Sequence, residues 1–247
     1  MRVAIIGHGR MGREVERILG ERGHEVALVI DADNEDDLNA SKMAGVDVAV
    51  EFTTPETAPG NVIRCLEMGI PIVCGTTGWM ALVPEAEELC RRVGGAFFYA
   101  SNYSIGVNVA FELNRRAAEM MNRFVEYDVT VEETHHTAKK DAPSGTAITL
   151  AEDIVARLDR KQRWTLGVPA VGEADHAALE VASVRRGVAP GTHIVTYESP
   201  VDTLTLRHDI KSRAGLAAGA AAAAEFLVAE VAAGRRGRFS MSDMLGF

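Results

Sequence analysis

The stretch from Glu132 to Thr146, EETHHTAKKDAPSGT, concentrates side chains that can carry protons and hold anions. Imidazoles titrate near neutral pH, and lysines supply compact positive charge. The Pro-Ser-Gly-Thr turn leads into a helix-forming sequence, and the backbone N–H groups at the start of a helix bind carboxylates well. The stretch is therefore either a strand end with a solvated charge cluster and a capped helix, or a catalytic centre for a small acid that gains a proton.

The adjacent histidines, His135 and His136, would point to opposite faces of a regular strand, but at a strand end both can border one pocket. We expect no metal site here, because adjacent histidines lack the i, i+4 geometry of helical zinc sites and no cysteine lies nearby. Of the two lysines, Lys139 and Lys140, one is expected to remain in solvent. The pattern favours a proton donor beside an anion site.

The helix entrance after Asp141 has the residue types of an anion clamp. Ser144 is predicted to cap the helix, and Gly145 and Thr146 then present backbone N–H groups. Together with a lysine ammonium, these groups suit a small acid substrate.

A second set of residues at the start of the chain predicts a dinucleotide site. Gly7, Gly9 and Gly12 have the G-x-G-x-x-G spacing, directly after the strand-like RVAIIG and at the start of a helical stretch. In that context the glycines serve the tight turn, the close approach of the pyrophosphate and the packing of helix against strand.

The end of the next predicted strand indicates which nicotinamide cofactor is used. Asp31 stands where a carboxylate is expected to accept hydrogen bonds from the adenosine ribose. It would repel a 2′-phosphate, and Ala32 provides no compensating charge. The sequence therefore predicts a preference for NADH, with NADPH possible because Arg10 lies in the glycine loop.

The order of predicted elements indicates two domains in an α/β chain. β-branched runs alternate with helical stretches in the first half, which is typical of a parallel sheet; the predicted strands are Arg2–Gly7, Glu25–Asp31, Val46–Thr53, Pro71–Thr77 and Ala96–Ser101. The predicted helices there include Gly12–Gly23 and Asn61–Gly69. Residues 107–213 predict a mixed α+β domain with a sheet open on one face, and residues 214–247 are expected to return to the first domain, residues 1–106.

Two flexible loops, GTTGW (Gly75–Trp79) and ASNYSIGVN (Ala100–Asn108), follow predicted strands and suit the nicotinamide end of a cofactor site, although ordinary βα loops have the same composition.

The amino-acid composition argues against several classes of protein. The net charge of -9 over 247 residues argues against a general affinity for nucleic acid or anionic membranes. Cys65, Cys74 and Cys90 have no metal-ligand spacing and resemble the buried thiols of a reducing compartment. The apolar stretch that contains Glu225 and Glu230 is typical of a packed helix instead of a membrane span. A cytoplasmic location is expected.

The sequence HHTAKKDAPSGT resembles the H-H-x-x-K-x-D-A-P-S-G-T signature of the 4-hydroxy-tetrahydrodipicolinate reductase family, also called dihydrodipicolinate reductases. The likeness continues through GHGRMGRE, EFTTPE, CGTTGW, ASNYSIGVNV, RHDIKSRAGLAAGA and FSMSDML. It implies a Rossmann-type cofactor domain with a parallel sheet, a second α+β domain for substrate binding and oligomerisation, and a homotetramer. The implied activity is nicotinamide-dependent reduction of a small cyclic dicarboxylate in lysine and diaminopimelate biosynthesis.

The resemblance also assigns roles to residues. His135 is implied as the general acid and Lys139 as a second proton-donating residue. Substrate carboxylates are implied to lie against His136, Ser144, Gly145, Thr146 and Arg213. The implied cofactor positions are Gly7, His8, Gly9, Arg10, Met11, Gly12, Asp31, Thr53, Gly75, Thr76, Thr77, Ala100, Ser101, Asn102 and Tyr103.

Two other functions fit the cofactor domain. One is a related amino-acid dehydrogenase acting on aspartate or diaminopimelate, against which the double histidine, Lys139 and the Ser-Gly-Thr helix entrance speak. The other is a redox sensor that binds NADH without turnover.

Overall fold

The computed structural model describes residues 1–167 and 175–247. The chain divides into two compact units, the first formed by Met1–Ile105 with Arg213–Phe247 and the second by Gly106–Ser212. These bounds differ by one residue from the predicted domain boundaries. Each unit has its own sheet and its own buried core.

The sheet of the first unit has six described strands, all parallel to their neighbours. They are β1 (Arg2–Ile6), β2 (Glu25–Ile30), β3 (Val48–Glu51), β4 (Ile72–Cys74), β5 (Ala96–Tyr99) and β11 (Gly237–Phe239), in the spatial order β11-β5-β4-β3-β1-β2. This confirms the predicted Rossmann-type α/β class. Strands buried on both faces read as continuous apolar runs, which is why β1 and β3 to β5 were recognisable in the sequence.

Helices surround this sheet, and apolar clusters on its two faces form the core. The helices of the unit are α1 (Arg10–Glu21), α2 (Ala58–Glu67), α3 (Val83–Val93), α6 (Ala214–Ala232) and α7 (Met241–Leu245). By length and composition α6 could cross a membrane. Its alanines Ala217, Ala220, Ala221 and Ala224 are instead fully buried in the core of the unit, as expected for a helix pressed closely on a sheet.

The second unit has a mixed sheet in the order β10-β9-β6-β8-β7. Its strands are β6 (Asp128–His135), β7 (Arg163–Leu166), β8 (Ala178–Arg185), β9 (Gly191–Glu198) and β10 (Thr203–Ile210). β6 pairs antiparallel with β9 and parallel with β8. Buried and exposed residues alternate along β6, so one face is covered and the other is open, as predicted.

Two helices belong with this sheet, α4 (Ile105–Met121), whose first residue lies in the first unit, and α5 (Gly145–Val155). Val131 and Tyr197 from the strands join Ala118 and Ile154 from the helices in the buried cluster. Because β6 alternates, the buried face that carries Val129 and Val131 continues to Glu133 and His135. Polar groups therefore enter the covered face at the carboxyl end of β6.

One glycine of α6 allows a test of how this helix packs in the first unit. A Cβ on Gly219 would lie 1.7 Å from the Tyr103 carbonyl oxygen, whereas one on Gly215 of the same helix would meet nothing within 4 Å. We expect Gly219→Ala to lower the free energy of unfolding by roughly 1–3 kcal/mol. The matched control Gly215→Ala should keep or slightly raise it, because alanine favours helix. Urea unfolding measures both, and equal stability of the two variants would contradict the packing.

Candidate active site

The glycine loop of the first unit is shaped by close backbone contacts. Gly7 has φ +92°, and a Cβ there would lie 2.1 Å from the Phe52 carbonyl oxygen. A Cβ on Gly12 would lie 2.0 Å from the Gly7 carbonyl oxygen, while one on Gly9 would meet nothing within 4 Å. Gly7 and Gly12 thus permit the turn and the packing of α1, and Gly9 leaves open space where a phosphate could approach the backbone.

Two cavities adjoin this loop and share Gly9, Phe52 and Thr53 as lining residues. The cavity that reaches Asp31 and Ala32 has a volume of about 300 Å³. The other has a volume of about 390 Å³ and is bordered by Arg10, Met11, Gly75, Thr76 and Thr77. Sequence reasoning missed Glu35 and Phe52 as lining residues. Glu35 lies in a short 3-10 turn with no motif, whereas Phe52 lies inside the EFTTPE segment.

A buried carboxylate holds the two loops that border the second cavity. Glu51, fully buried at the end of β3, accepts hydrogen bonds from the Thr53 backbone N–H at 3.0 Å, from the Thr53 hydroxyl, and from the Thr76 hydroxyl at 3.1 Å. The Cys74 thiol donates to its other oxygen at 2.9 Å. Burial raises the pKa of Cys74, so this thiol stays protonated and donates. All three cysteines are buried and free, as predicted.

The remaining predicted cofactor residues differ in exposure. His8 contacts Glu16 at 2.6 Å between Nε2 and Oε2, and Arg10 is exposed at the start of α1. Ser101 is exposed, Ala100 is buried and Asn102 is half-buried. Tyr103 is buried, and its hydroxyl donates to the Cys74 carbonyl oxygen at 2.7 Å, so its side chain supports the loop from beneath.

In the second unit, the segment Glu132–Thr146 folds around a buried carboxylate–imidazole pair. His135 is the last residue of β6, and Glu133 precedes it on the same face. His135 Nδ1 lies 2.6 Å from Glu133 Oε2, a contact at ion-pair distance whose angle falls outside that of a good hydrogen bond. Both residues are buried, with Glu133 fully excluded from solvent.

The other Glu133 oxygen, Oε1, accepts three hydrogen bonds. The donors are the Ser183 hydroxyl at 2.6 Å, Arg185 Nη2 at 2.8 Å and the Ser144 backbone N–H at 3.1 Å. Burial alone would raise the pKa of this carboxyl, but the three donors outweigh it and lower the pKa to about 2. Glu133 is therefore an anion at neutral pH.

The surroundings of His135 change its pKa in opposite directions. Burial lowers its pKa, the Glu133 charge raises it, and the nearby Lys139 and Arg185 charges lower it again, with a net lowering. The Nε2 edge of the ring lies beside Gly191, where a Cβ would come within 2.9 Å of Nε2. The absence of a side chain at Gly191 leaves room for the ring.

The start of α5 lies against the same cluster. Ser144 caps the helix, as predicted, and its Oγ accepts from the Ala147 N–H at 3.3 Å and contacts His193 Nε2 at 3.2 Å. The N–H groups of Gly145 and Thr146 have no acceptor within the helix, because they stand in its first turn. They are available to an anion.

His193 is a second buried histidine that sequence reasoning missed. Its ring packs edge to face against His135 with centroids 5.2 Å apart. Burial is the main cause that lowers the pKa of His193 to about 4, and the neighbouring His135 lowers it further. The His193 ring is therefore neutral at pH 7.

Glu133, His135 and His193 also offer three potential metal ligands within 4.8 Å of one another. Tetrahedral zinc holds nitrogen and oxygen ligands at about 2.0–2.2 Å, which separates the ligand atoms by roughly 3.3 Å. The 2.6 Å separation of His135 Nδ1 and Glu133 Oε2 is too short for that geometry. Those two atoms therefore do not fit as joint ligands of one zinc ion, and they form a buried carboxylate–imidazole pair.

The other predicted substrate residues lie in several elements. The Lys139 ammonium donates to both Asp141 carboxylate oxygens, at 2.8 and 2.7 Å, and Lys140 is exposed. His136 is half-buried and follows the end of β6. Arg213 is exposed at the start of α6 and belongs to the first unit, unlike the other predicted substrate residues.

Two family models together match almost the whole chain. One, described as dihydrodipicolinate reductase, N-terminus, matches residues 1–103, and the other, described as dihydrodipicolinate reductase, C-terminus, matches residues 106–245. A 4-hydroxy-tetrahydrodipicolinate reductase from Christiangramia forsetii is 43% identical over 246 residues, covering 99% of this chain and 98% of that protein. The enzyme of the same name from Chromobacterium violaceum is 35% identical over 270 residues, covering 99% and 98%.

A solved structure supports the fold. The dipicolinate-bound dihydrodipicolinate reductase from Paenisporosarcina sp. TG-14 has a TM-score of 0.78 at 24% identity, covering 98% of each chain. The arrangement of elements in this chain is thus that of known reductase structures.

The buried His193 side chain should make the stability of the protein depend on pH. Because the pKa of His193 falls from 6.5 to about 4 on folding, its contribution is complete above pH 6.5 and is lost as pH falls through 4. This pKa shift corresponds to a contribution of about 3 kcal/mol to the free energy of unfolding. Urea unfolding at pH 7 and pH 4.5 should show a smaller acid-induced loss of stability for His193→Gln than for the wild type. The exposed His176→Gln serves as control, and an equal loss in all three proteins would contradict the prediction.

Proposed function

The chain belongs to the dihydrodipicolinate reductase family, and from that premise we propose that it reduces 4-hydroxy-tetrahydrodipicolinate to tetrahydrodipicolinate in lysine and diaminopimelate biosynthesis. It is an oxidoreductase that uses a pyridine nucleotide. The observation that carries the proposal is the buried Glu133–His135 dyad beside the N-terminus of α5, since it places a proton carrier next to a carboxylate site.

The cavities of the first unit fit a dinucleotide. Gly9 leaves open space beside the helix N-terminus, and Asp31 lines the cavity where ribose hydroxyls would bind. When bound there, a nicotinamide nucleotide supplies the hydride. The residues Gly7, Gly9, Arg10 and Thr76 would hold it, and the Glu51 network keeps the loops that carry Thr53 and Thr76 in place.

We assign substrate binding chiefly to residues of the second unit. The free N–H groups of Gly145 and Thr146 donate hydrogen bonds to one carboxylate of the cyclic substrate. The family pattern implies that His136 and Arg213 also bind a substrate carboxylate. Lys139, released from Asp141, would serve as a second proton-donating residue.

His135 delivers the proton. As hydride arrives, electron density builds on the substrate ring, and an imidazolium at Nε2 neutralises it. Burial lowers the pKa of His135, so its ring favours the neutral form before substrate binds. A dianionic substrate favours the imidazolium. Substrate binding therefore promotes protonation of His135, which then donates that proton in the reaction.

We propose NADH as the preferred cofactor, with NADPH accepted more weakly through Arg10. Asp31 and Glu35 both line the cavity next to Ala32, and two carboxylates repel a 2′-phosphate more strongly than one.

We further propose a cytoplasmic homotetramer formed through the open face of the second sheet. Thr130, Thr196 and Thr205 lie side by side across β6, β9 and β10, on the face that none of the described helices of the unit covers. Size-exclusion chromatography with light scattering tests the assembly, and a monomer would refute it.

A coupled assay tests the reaction. Pyruvate, aspartate semialdehyde and the preceding synthase generate the substrate, and NADH absorbance reports its reduction. We expect His135→Ala mainly to lower kcat, on the order of 100-fold, and Lys139→Ala to impair kcat and KM together. The exposed neighbour variant Lys140→Ala should behave as wild type. Normal kinetics in both active-site variants would refute the assignment, and tight NADH binding without turnover would favour a redox sensor.

Cofactor choice is tested separately. We expect wild type to have a higher kcat/KM for NADH than for NADPH, and the double variant Asp31→Ala/Ala32→Arg to move the ratio toward NADPH, because it removes a negative charge and adds a positive one. Asp33→Ala, in the same acidic turn but outside the cavity lining, should leave the ratio unchanged. A preference for NADPH in the wild type would contradict the proposal.

A further inference from the structure

The Arg185 side chain joins three parts of the second unit. It stands on β8 directly opposite His135 in the strand register. Its Nη2 donates to Glu133 Oε1 at 2.8 Å and to the Asp141 carbonyl oxygen at 2.6 Å, and Nη1 donates to the Val184 carbonyl oxygen at 2.9 Å. One guanidinium therefore fixes the buried carboxylate and the loop that carries Lys139.

We propose that the Glu133–Arg185 ion pair is a positioning element of the active site, which sets the tautomer of His135 and holds its ring in register with the anion-binding start of α5. This inference rests on the proposed function for its catalytic consequence. Glu133 and Arg185 act through His135 and need not touch the substrate.

The two oxygens of Glu133 have separate partners. Oε1 is occupied by three donors, from Ser144, Ser183 and Arg185. Oε2 is buried and lies 2.6 Å from His135 Nδ1, at ion-pair distance, and neither atom has a hydrogen-bond partner of good geometry among the described residues. An ionised carboxylate can only accept, so the proton of the neutral ring resides on Nδ1 and Nε2 is left for the substrate.

The Ser183 hydroxyl and the Arg185 guanidinium together keep this carboxylate an anion. Burial by itself favours the protonated form of a carboxyl group, and a protonated Oε2 would turn from acceptor to donor and reverse the tautomer. The guanidinium at 2.8 Å and the Ser183 hydroxyl prevent this.

The Glu133 carboxylate also couples His135 to the anion-binding start of α5. Oε1 accepts the backbone N–H of Ser144, the cap of α5, at 3.1 Å. A displacement of that oxygen would shift the His135 contact and the first turn of the helix together. The distance between the proton donor and the carboxylate site is thus set through Glu133.

Glu133→Gln separates positioning from mere stability. Because the three donors to Oε1 require an acceptor, the amide oxygen must take that side and the NH2 group must face His135. The variant therefore presents a donor to Nδ1 and should move the ring proton to Nε2. The matched control is Glu132→Gln, which changes the exposed neighbour on the opposite face of β6.

The measurement is 15N NMR of the full-length protein labelled at its seven histidines, with the His135 signals assigned through His135→Gln. We expect the Nδ1–H tautomer in the wild type and in Glu132→Gln, and the Nε2–H tautomer in Glu133→Gln. An Nε2–H tautomer in the wild type overturns the proposal even if Glu133→Gln does not fold, as does an unchanged tautomer in a folded Glu133→Gln.

Kinetics supply the second readout. In Glu133→Gln we expect kcat to fall on the order of 100-fold with KM for the dicarboxylate nearly unchanged, and the basic limb of the kcat–pH profile to move to lower pH, because the charge that favours the imidazolium is gone. Arg185→Met should impair kcat and KM together, and Arg185→Lys should recover part of the loss. An unmoved pH limb overturns the proposal. If the tautomer reverses but the wild type does not reduce the dicarboxylate, the proposed function fails and the positioning assignment stands.

Discussion

The second unit is organised around a carboxylate that has been removed completely from water. Burying an ionised glutamate costs several kcal/mol unless donors replace its hydration, so the fold must bring donors to Glu133 from several elements. They come from the helix cap at Ser144 and from Ser183 and Arg185 on β8. The requirement to satisfy one anion therefore fixes the relative placement of a strand, its neighbour and a helix.

The first unit also contains a buried glutamate held by hydrogen bonds, but its donors are neutral groups. Glu51 is equally buried and binds two threonine hydroxyls, a backbone N–H and a thiol. Each sheet thus ends in a buried glutamate that ties together the loops at its carboxyl edge. The difference in partners matters, because the cation beside Glu133 keeps that carboxylate ionised next to a titrating histidine, whereas Glu51 serves to fix loops.

Sequence reasoning succeeded where the signal was local. The glycine spacing, the apolar strands and the Ser144 cap each depend on neighbours within a few residues, and the structure has the corresponding turn, sheet and helix. Arg185 and His193 were missed because they reach His135 across strand pairs, 50 and 58 residues along the chain. The three residues of β11 are too few to carry a periodic pattern, and they form a strand only because β5 offers an open edge.

The position of β11 has a consequence for biosynthesis. The second unit, residues 106–212, is contiguous, whereas the first sheet needs α6 and β11 from beyond Arg213. Because domains fold as units while the ribosome elongates the chain, the second unit can fold as soon as it emerges. The first sheet, begun earliest, must wait with an unpaired edge until translation reaches its last elements, and during that interval it is the part of the nascent chain most in need of a chaperone.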